Sequence, residues 1–203
     1  MRRSTVPLEA TGARLLELAT DHVRRHGIER TTLTLVARDA GVSHAAAYRY
    51  FASKDALIEA VSAGWLRSVE TAMAGVADSP DPADDKLERM MLQLARLYRE
   101  RLDTEPNLFR AFLVAVDERR DAVLRHEKRV RALIDRVVEE GRSTEHFRGR
   151  SNERLITFML DALYRFLDPH ALYADRTIAR ATHEQRLSRI LRVVIRAMAS
   201  GAA

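Results

Sequence analysis

The sequence predicts an all-α protein of about nine helices, arranged as a small N-terminal three-helix block followed by a larger helical bundle. Three observations predict it. Apolar residues recur three and four positions apart along most of the chain. No run of alternating β-branched residues bounded by turn signals occurs. Eight glycines and five prolines are spread over 203 residues, most of them where a periodic pattern stops.

Each element follows from local signals. The first helix is expected from about Glu9 to His26, with Leu15, Leu16, Ala19, Val23 and His26 on one face and Gly27 as its stop. Thr31 and Thr32 suit the N-cap of a short helix that Gly41 ends, and Ser43 suits the cap of another through Tyr50. Ser53 opens a longer helix through about Ala74. Asp78-Ser79-Pro80-Asp81-Pro82 reads as a linker. Beyond it come a stripe of Leu87, Met90, Met91, Leu94, Leu97 and Tyr98, a helix started by Pro106, and a charged helix stopped by Gly141. A helix follows from Ser151 to Asp168-Pro169, which reads as a turn, and the last helix covers 183–199. The expected domains are 1–53, a connecting helix at about 54–74, and 75–203.

Composition excludes several classes. Without cysteine there is no disulfide framework, no cysteine-ligated zinc and no cysteine nucleophile. The longest uncharged stretch, Ala40–Tyr48, has nine residues, too few to cross a bilayer, and Met1-Arg2-Arg3-Ser4 leads into no apolar signal core. No membrane association and a cytoplasmic location are therefore expected. His22 and His26 lie four apart but lack a neighbouring glutamate and a third ligand, so no metal is expected. No phosphate loop, nucleophile elbow or spaced carboxylate pair appears, so no cofactor, no catalytic residue and no enzymatic activity are expected. The arginines at 186, 189, 192 and 196 read as the solvated side of the final helix, with a second polyanion site as the alternative.

The most informative segment is 31–50. Two short helices joined by Gly41-Val42-Ser43 form a helix-turn-helix pattern. Gly41 permits a positive φ, Val42 pins the turn to the core, and small Ala37 and Ala40 allow close helix approach. In the second helix Ala45-Ala46-Ala47 leaves a slim surface that a DNA major groove admits. His44 and Arg49 offer hydrogen bonds to base edges, Tyr48 and Tyr50 offer phenolic donors to phosphates, and Lys54 stands at the start of the next helix. Residues 24–54 hold six basic residues against two acidic ones, most of the chain's net charge of +5. A residue and its second neighbour diverge on a helix, so only one of Tyr48 and Tyr50 can face the core. His44 has the alternative of a solvated turn residue.

The run from Thr31 to Leu57 resembles the DNA-binding domain of TetR/AcrR-type bacterial transcriptional repressors. It carries Ala37-Arg38-Asp39-Ala40-Gly41-Val42-Ser43, then Tyr48-Arg49-Tyr50-Phe51, then Ser53-Lys54-Asp55-Ala56-Leu57. The resemblance spans about residues 12–60. It implies base contacts by His44, Ala45, Ala46 and Arg49, and phosphate contacts by Thr32, Tyr48, Tyr50 and Lys54. Leu35, Ala47, Val23 and Ile28 depart from the usual pattern in a way that alters packing between the first and third helices.

In the second block the helix from Ser151 to Leu167 is apolar on nearly every side, interrupted by Thr157, Asp161 and Arg165. Such a helix is expected to be buried all round, here by a second copy. Leu155, Met159 and Leu163, with Leu187, Ile190, Leu191 and Val194 of the last helix, are the expected homodimer face; one large monomeric core is the alternative. The resemblance implies the same dimer and a small-molecule pocket. Candidate lining residues are Leu94, Tyr98, Phe109, Phe112, Leu113, Val116, Phe158 and Ala162, an aromatic and aliphatic set suited to an apolar effector. Plain core is their alternative. The expected function is a ligand-responsive repressor that binds a palindromic operator on double-stranded DNA as a homodimer. A regulator with a filled core, or an all-α enzyme or binding protein with a vestigial DNA module, are the other readings.

Overall fold

The computed structural model describes residues 8–149 and 151–203, and these are helical with no strand among them. The helices are α1 (Leu8–Arg30), α2 (Leu33–Asp39), α3 (His44–Tyr48), α4 (Lys54–Ala77), α5 (Ala83–Thr104), α6 (Pro106–Asp117), α7 (Asp121–Ser143), α8 (Asn152–Leu167), α9 (Pro169–Ala174) and α10 (Arg180–Ser200). The all-α expectation is met. A short helix, α9, stands where the sequence reads a turn: Asp168 is its N-cap, accepting from the Ala171 amide at 2.9 Å, and Pro169 takes its first position.

The helices form two compact units that do not follow chain order. One contains the described residues up to Leu66 together with Glu105–Leu124; the other contains Arg67–Thr104 and Arg125–Ala203. The segment 105–124, read in the sequence with the second block, thus joins the first.

The first unit is built on one apolar cluster. Leu15, Ala19 and Val23 of α1 meet Leu33, Val36 and Ala37 of α2, Ala47 of α3, Leu57, Ile58 and Val61 of α4, and Leu108 and Ala111 of α6. Gly27 breaks the helical path of α1 where the expected stop lies, although a further turn continues to Arg30. His26, placed by periodicity on the core face, is exposed. α6 is fastened to α1 by Arg24, whose Nε donates to Glu105 at 2.6 Å and whose carbonyl accepts from Asn107 Nδ2 at 3.1 Å.

The second unit packs α5, α8, α9 and α10 on one another. Arg99 is buried at its centre and donates to Asp103 and to the carbonyls of Asp175, Arg176 and Ile178, distances 2.8–3.3 Å. Five guanidinium donors in a rigid fork suit the free carbonyls at the end of α9. Gly141 does not stop α7, which runs to Ser143; a Cβ there would lie 2.2 Å from the Phe147 ring, so this glycine makes room for the chain folding back on the helix. No helix among the described residues is long and apolar enough to cross a membrane.

Candidate nucleic-acid interface

Local hydrogen bonds set the geometry of α2, the turn and α3. Thr32 Oγ1 accepts from the Leu35 amide at 3.3 Å and starts α2. At the other end the Gly41 amide donates to Arg38 O and the Val42 amide to Ala37 O, with Gly41 at φ 68°. This paired closure satisfies the last carbonyls of α2 and needs a left-handed residue in the middle, which glycine supplies without a Cβ clash. Val42 packs against the apolar cluster. Ser43 Oγ then accepts from the Ala46 amide at 3.2 Å and starts α3. α3 ends at Tyr48 rather than Tyr50. The Arg49 and Tyr50 amides bond back only three residues, to Ala46 and Ala47, so the last turn tightens as the chain leaves.

Only Ala47 of α3 is fully buried, and it roots the helix in the core. His44, Ala45 and Arg49 are exposed, Ala46 is half-buried, and Tyr48 is 44% exposed. The His44 and Tyr48 rings, one turn apart, lie 4.6 Å centre to centre on the open side. Tyr50 goes the other way, its ring against the apolar cluster and 3.1 Å from where a Gly12 Cβ would stand, so the structural member of the tyrosine pair is Tyr50. Thr32 is exposed, and a hydroxyl that caps as acceptor keeps its proton for another partner. Lys54 Nζ rests on the Glu29 carbonyl at 3.3 Å, and Ser53 Oγ accepts from the Ala56 amide at 3.1 Å to start α4. His22 Nε2 and Asp39 Oδ2, 2.8 Å apart, clasp α1 to α2; the hydrogen bonds of His22 and then Arg38 hold the Asp39 carboxyl below its usual range. This places His44, Ala45, Arg49, Tyr48, Thr32 and Lys54 in the first unit with polar atoms or slim surface at solvent.

Most of the expected dimer face is covered within the chain itself. Leu155, Met159, Leu163, Leu187, Leu191 and Val194 are buried within the single chain, and a side chain without free surface presents none to a second copy. Of the seven, only Ile190 is exposed. The apolar surface that α8 and α10 do leave open is Tyr164, at 60%, and Val193, at 66%. Ile190 and Val193 lie on the side of α10 next to the buried stripe of Leu187, Leu191 and Val194, and that side is exposed in the chain.

The expected pocket residues divide between the units. Phe109, Phe112, Leu113 and Val116 lie on α6 in the first, where Phe109 and Trp65 both meet Phe112 edge-on, at 5.9 and 5.0 Å. In the second, Leu94 and Tyr98 are buried and Phe158 is half-buried, but Ala162 faces solvent because it lies one residue from the buried Leu163. Sequence reading missed what Tyr98 does. Its hydroxyl meets His126 Nε2 at 2.8 Å, His126 Nδ1 meets Glu70 Oε1 at 3.1 Å, and Arg129 donates to Glu70 Oε2 at 2.7 Å. Burial pushes the Tyr98 hydroxyl up, helped by Glu127 and Glu70; burial also pushes His126 down, against the pull of Glu70. This series of side chains ends at an open groove of about 510 Å³ lined by Glu70, Thr71, Ala74, Arg129, Ala132, Leu133 and Arg136. Among the described residues no cluster of three metal-ligating side chains occurs.

Comparison with known proteins gives this geometry its family. None of the curated proteins matches the chain in sequence. Solved structures do match it along nearly the whole length. A TetR/AcrR-family transcriptional regulator from Thermobifida fusca is 18% identical, with 92% of this chain and 97% of that one covered and a TM-score of 0.67. The TetR-family regulator PfmR from Thermus thermophilus is 21% identical, covering 90% and 97% with a TM-score of 0.58. RolR, solved with its ligand resorcinol, is 20% identical, covering 95% and 94% with a TM-score of 0.62. At these identities the likeness is one of fold. Two family models match directly: bacterial regulatory proteins of the tetR family over residues 15–61, and the tetracyclin repressor-like C-terminal domain over residues 83–191. The chain belongs to the TetR family of transcriptional regulators, with a helix-turn-helix DNA-binding domain at its N-terminal end.

Proposed function

We propose that this regulator is a repressor that reads a palindromic operator as a homodimer and leaves it when a small apolar effector binds. The observation that carries the reading is the open side of α3, where His44, Ala45, Tyr48 and Arg49 stand at solvent while Ala47 alone anchors the helix. His44, Ala45, Ala46 and Arg49 are assigned to bases, and Thr32, Tyr48, Tyr50 and Lys54 to phosphates. Tyr50 contributes through its hydroxyl alone, since its ring is packed. The assignment is tested on the duplex that the protein selects from random double-stranded DNA. Lys54→Ala is expected to weaken binding to all sequences and to lower the salt slope by about one, while Arg49→Ala changes base preference. Lys54→Ala with altered preference and an unchanged slope reverses the roles.

The dimer is assigned to Tyr164, Ile190 and Val193 in place of the buried set. Two copies of the face, related by a two-fold axis, bury these side chains against each other and set two α3 helices to read two half-sites. Val193→Asp is expected to yield a folded monomer by sedimentation. Leu163→Ala is expected to keep the dimer and lose about 2–5 kcal/mol of stability through the cavity left. A monomer from Leu163→Ala and an intact dimer from Val193→Asp would restore the original face. The effector reading draws on RolR, which is solved with resorcinol, and on the apolar residues Leu94, Tyr98 and Phe158 of the second unit. Saturating effector that left operator affinity unchanged would refute it, because an equilibrium shifts only by differential affinity.

A further inference from the structure

We propose that Arg120 is a positioning residue for the DNA contact of Lys54; the proposal rests on the phosphate role given to Lys54 above. The starting point is the corner between α6 and α7. α6 closes with the Arg119 amide donating to Val116 O and the Arg120 amide to Ala115 O, both at 3.0 Å. This is the paired closure also seen after α2, and it requires a left-handed residue in its middle. Here that residue is Arg119, at φ 48°. A side chain in this region is strained, and such a conformation persists where neighbouring contacts over-determine it.

The over-determining contacts lead to α4. Arg120 is nearly enclosed, its side chain 13% exposed. Its Nη1 donates to the Asp55 carbonyl at 2.9 Å, its Nη2 to Asp55 Oδ1 at 3.1 Å, and its Nε to Glu118 Oε2 at 2.6 Å. Burial opposes the guanidinium charge, but the hydrogen bonds of Glu118 and Asp55 outweigh it and hold the group more basic than usual. One turn further along α4, Glu59 Oε1 accepts from the Ala122 amide at 3.1 Å, which occupies one of the unpaired donors at the start of α7. All of these residues lie in the first unit.

Asp55 follows Lys54 directly. A guanidinium that grips both the carbonyl and the carboxylate of Asp55 fixes the first turn of α4 in direction and in rotation. It thereby fixes where Lys54 leaves the helix. Its charge also offsets the Asp55 carboxylate, 79% exposed, which would otherwise repel a phosphate brought to Lys54. Lysine would supply the charge but not the fork.

The test is a double-mutant cycle on the full-length protein, read as affinity for the selected duplex at several salt concentrations. Arg120→Ala is expected to weaken binding by about tenfold, a difference of about 1.4 kcal/mol. It is also expected to lower the salt slope much as Lys54→Ala does. In a Lys54→Ala background it is expected to do little more, because the contact it positions is gone. Arg120→Lys is expected to recover part of the affinity. If Arg120→Ala does not fold, Arg120→Lys, which keeps the charge but loses the two-point grip on Asp55, is carried through the same cycle with the same expectation at smaller size. Effects of the two substitutions that add in full, or a slope unmoved by Arg120→Ala and by Arg120→Lys, overturn the proposal while leaving the Lys54 role intact. A Lys54→Ala protein with unchanged affinity and slope overturns the Lys54 role and this proposal together.

Discussion

Two helices of the first unit end in the same hydrogen-bonded closure on different residues. After α2 the left-handed position is Gly41, at φ 68°; after α6 it is Arg119, at φ 48°. Both satisfy the last carbonyls of their helix, and both are followed by a residue that ties the turn down. After Gly41 it is Val42, held by apolar packing. After Arg119 it is Arg120, held by three charged or carbonyl acceptors. A turn made by glycine costs the fold little and is set locally. A turn made by arginine is imposed by what the next residue grips. The first delivers α3 to solvent, and the second is tied to the start of α4, so both bear on where the residues assigned above to DNA stand.

The comparison can be broken by exchanging the residues. Gly41→Ala is expected to cost about 1–2 kcal/mol, the penalty for a Cβ in the left-handed region, and to weaken DNA binding as α3 is displaced. No neighbour lies within 4 Å of the added methyl, so the cost is backbone strain alone. Chemical denaturation measures it, and an unchanged midpoint would mean that the turn relaxes freely. The smaller effect is expected at the other corner. Arg119→Gly relieves strain in the folded chain but gives the unfolded chain more freedom, so the two terms nearly cancel. Stability is expected to rise by less than about 1 kcal/mol, with DNA affinity unchanged. A loss as large as that of Gly41→Ala would show that the Arg119 side chain, rather than its backbone, holds the corner.

The two corners also differ in how legible they were. Gly41-Val42-Ser43 announces a turn and a cap in three letters, and the residues around it are enough to place α2, α3 and the open face of His44 and Arg49, though not which of Tyr48 and Tyr50 turns inward. Nothing in Glu118-Arg119-Arg120-Asp121 distinguishes it from the other charged stretches of an arginine-rich chain. Its role depends on Asp55, sixty-five positions away from Arg120, being brought beside it. The same contrast runs through α8. Its apolar character is plain in the sequence, but which side meets which partner is not: Leu155, Met159 and Leu163 are buried within their own chain, and Tyr164 faces out.

What the sequence by itself determined is what a few consecutive residues decide by hydrogen bonds to their own backbone. That covers the all-α character, a cap at Thr31 or Thr32, the caps at Ser43, Ser53 and Ser151, the turn at Gly41, and the short alanine-rich helix whose side chains suit a major groove. What only the tertiary structure decided is which apolar stripe meets which. It seated α6 on α1 in the first unit, turned Tyr50 inward and Tyr48 outward, closed Tyr98 onto His126 and Glu70, and left Tyr164, Ile190 and Val193 uncovered. The reason is that a cap is satisfied within one turn of chain, whereas burial is a collective property. Apolar surface has no preferred partner in sequence and is assigned only when all the helices compete for the same core.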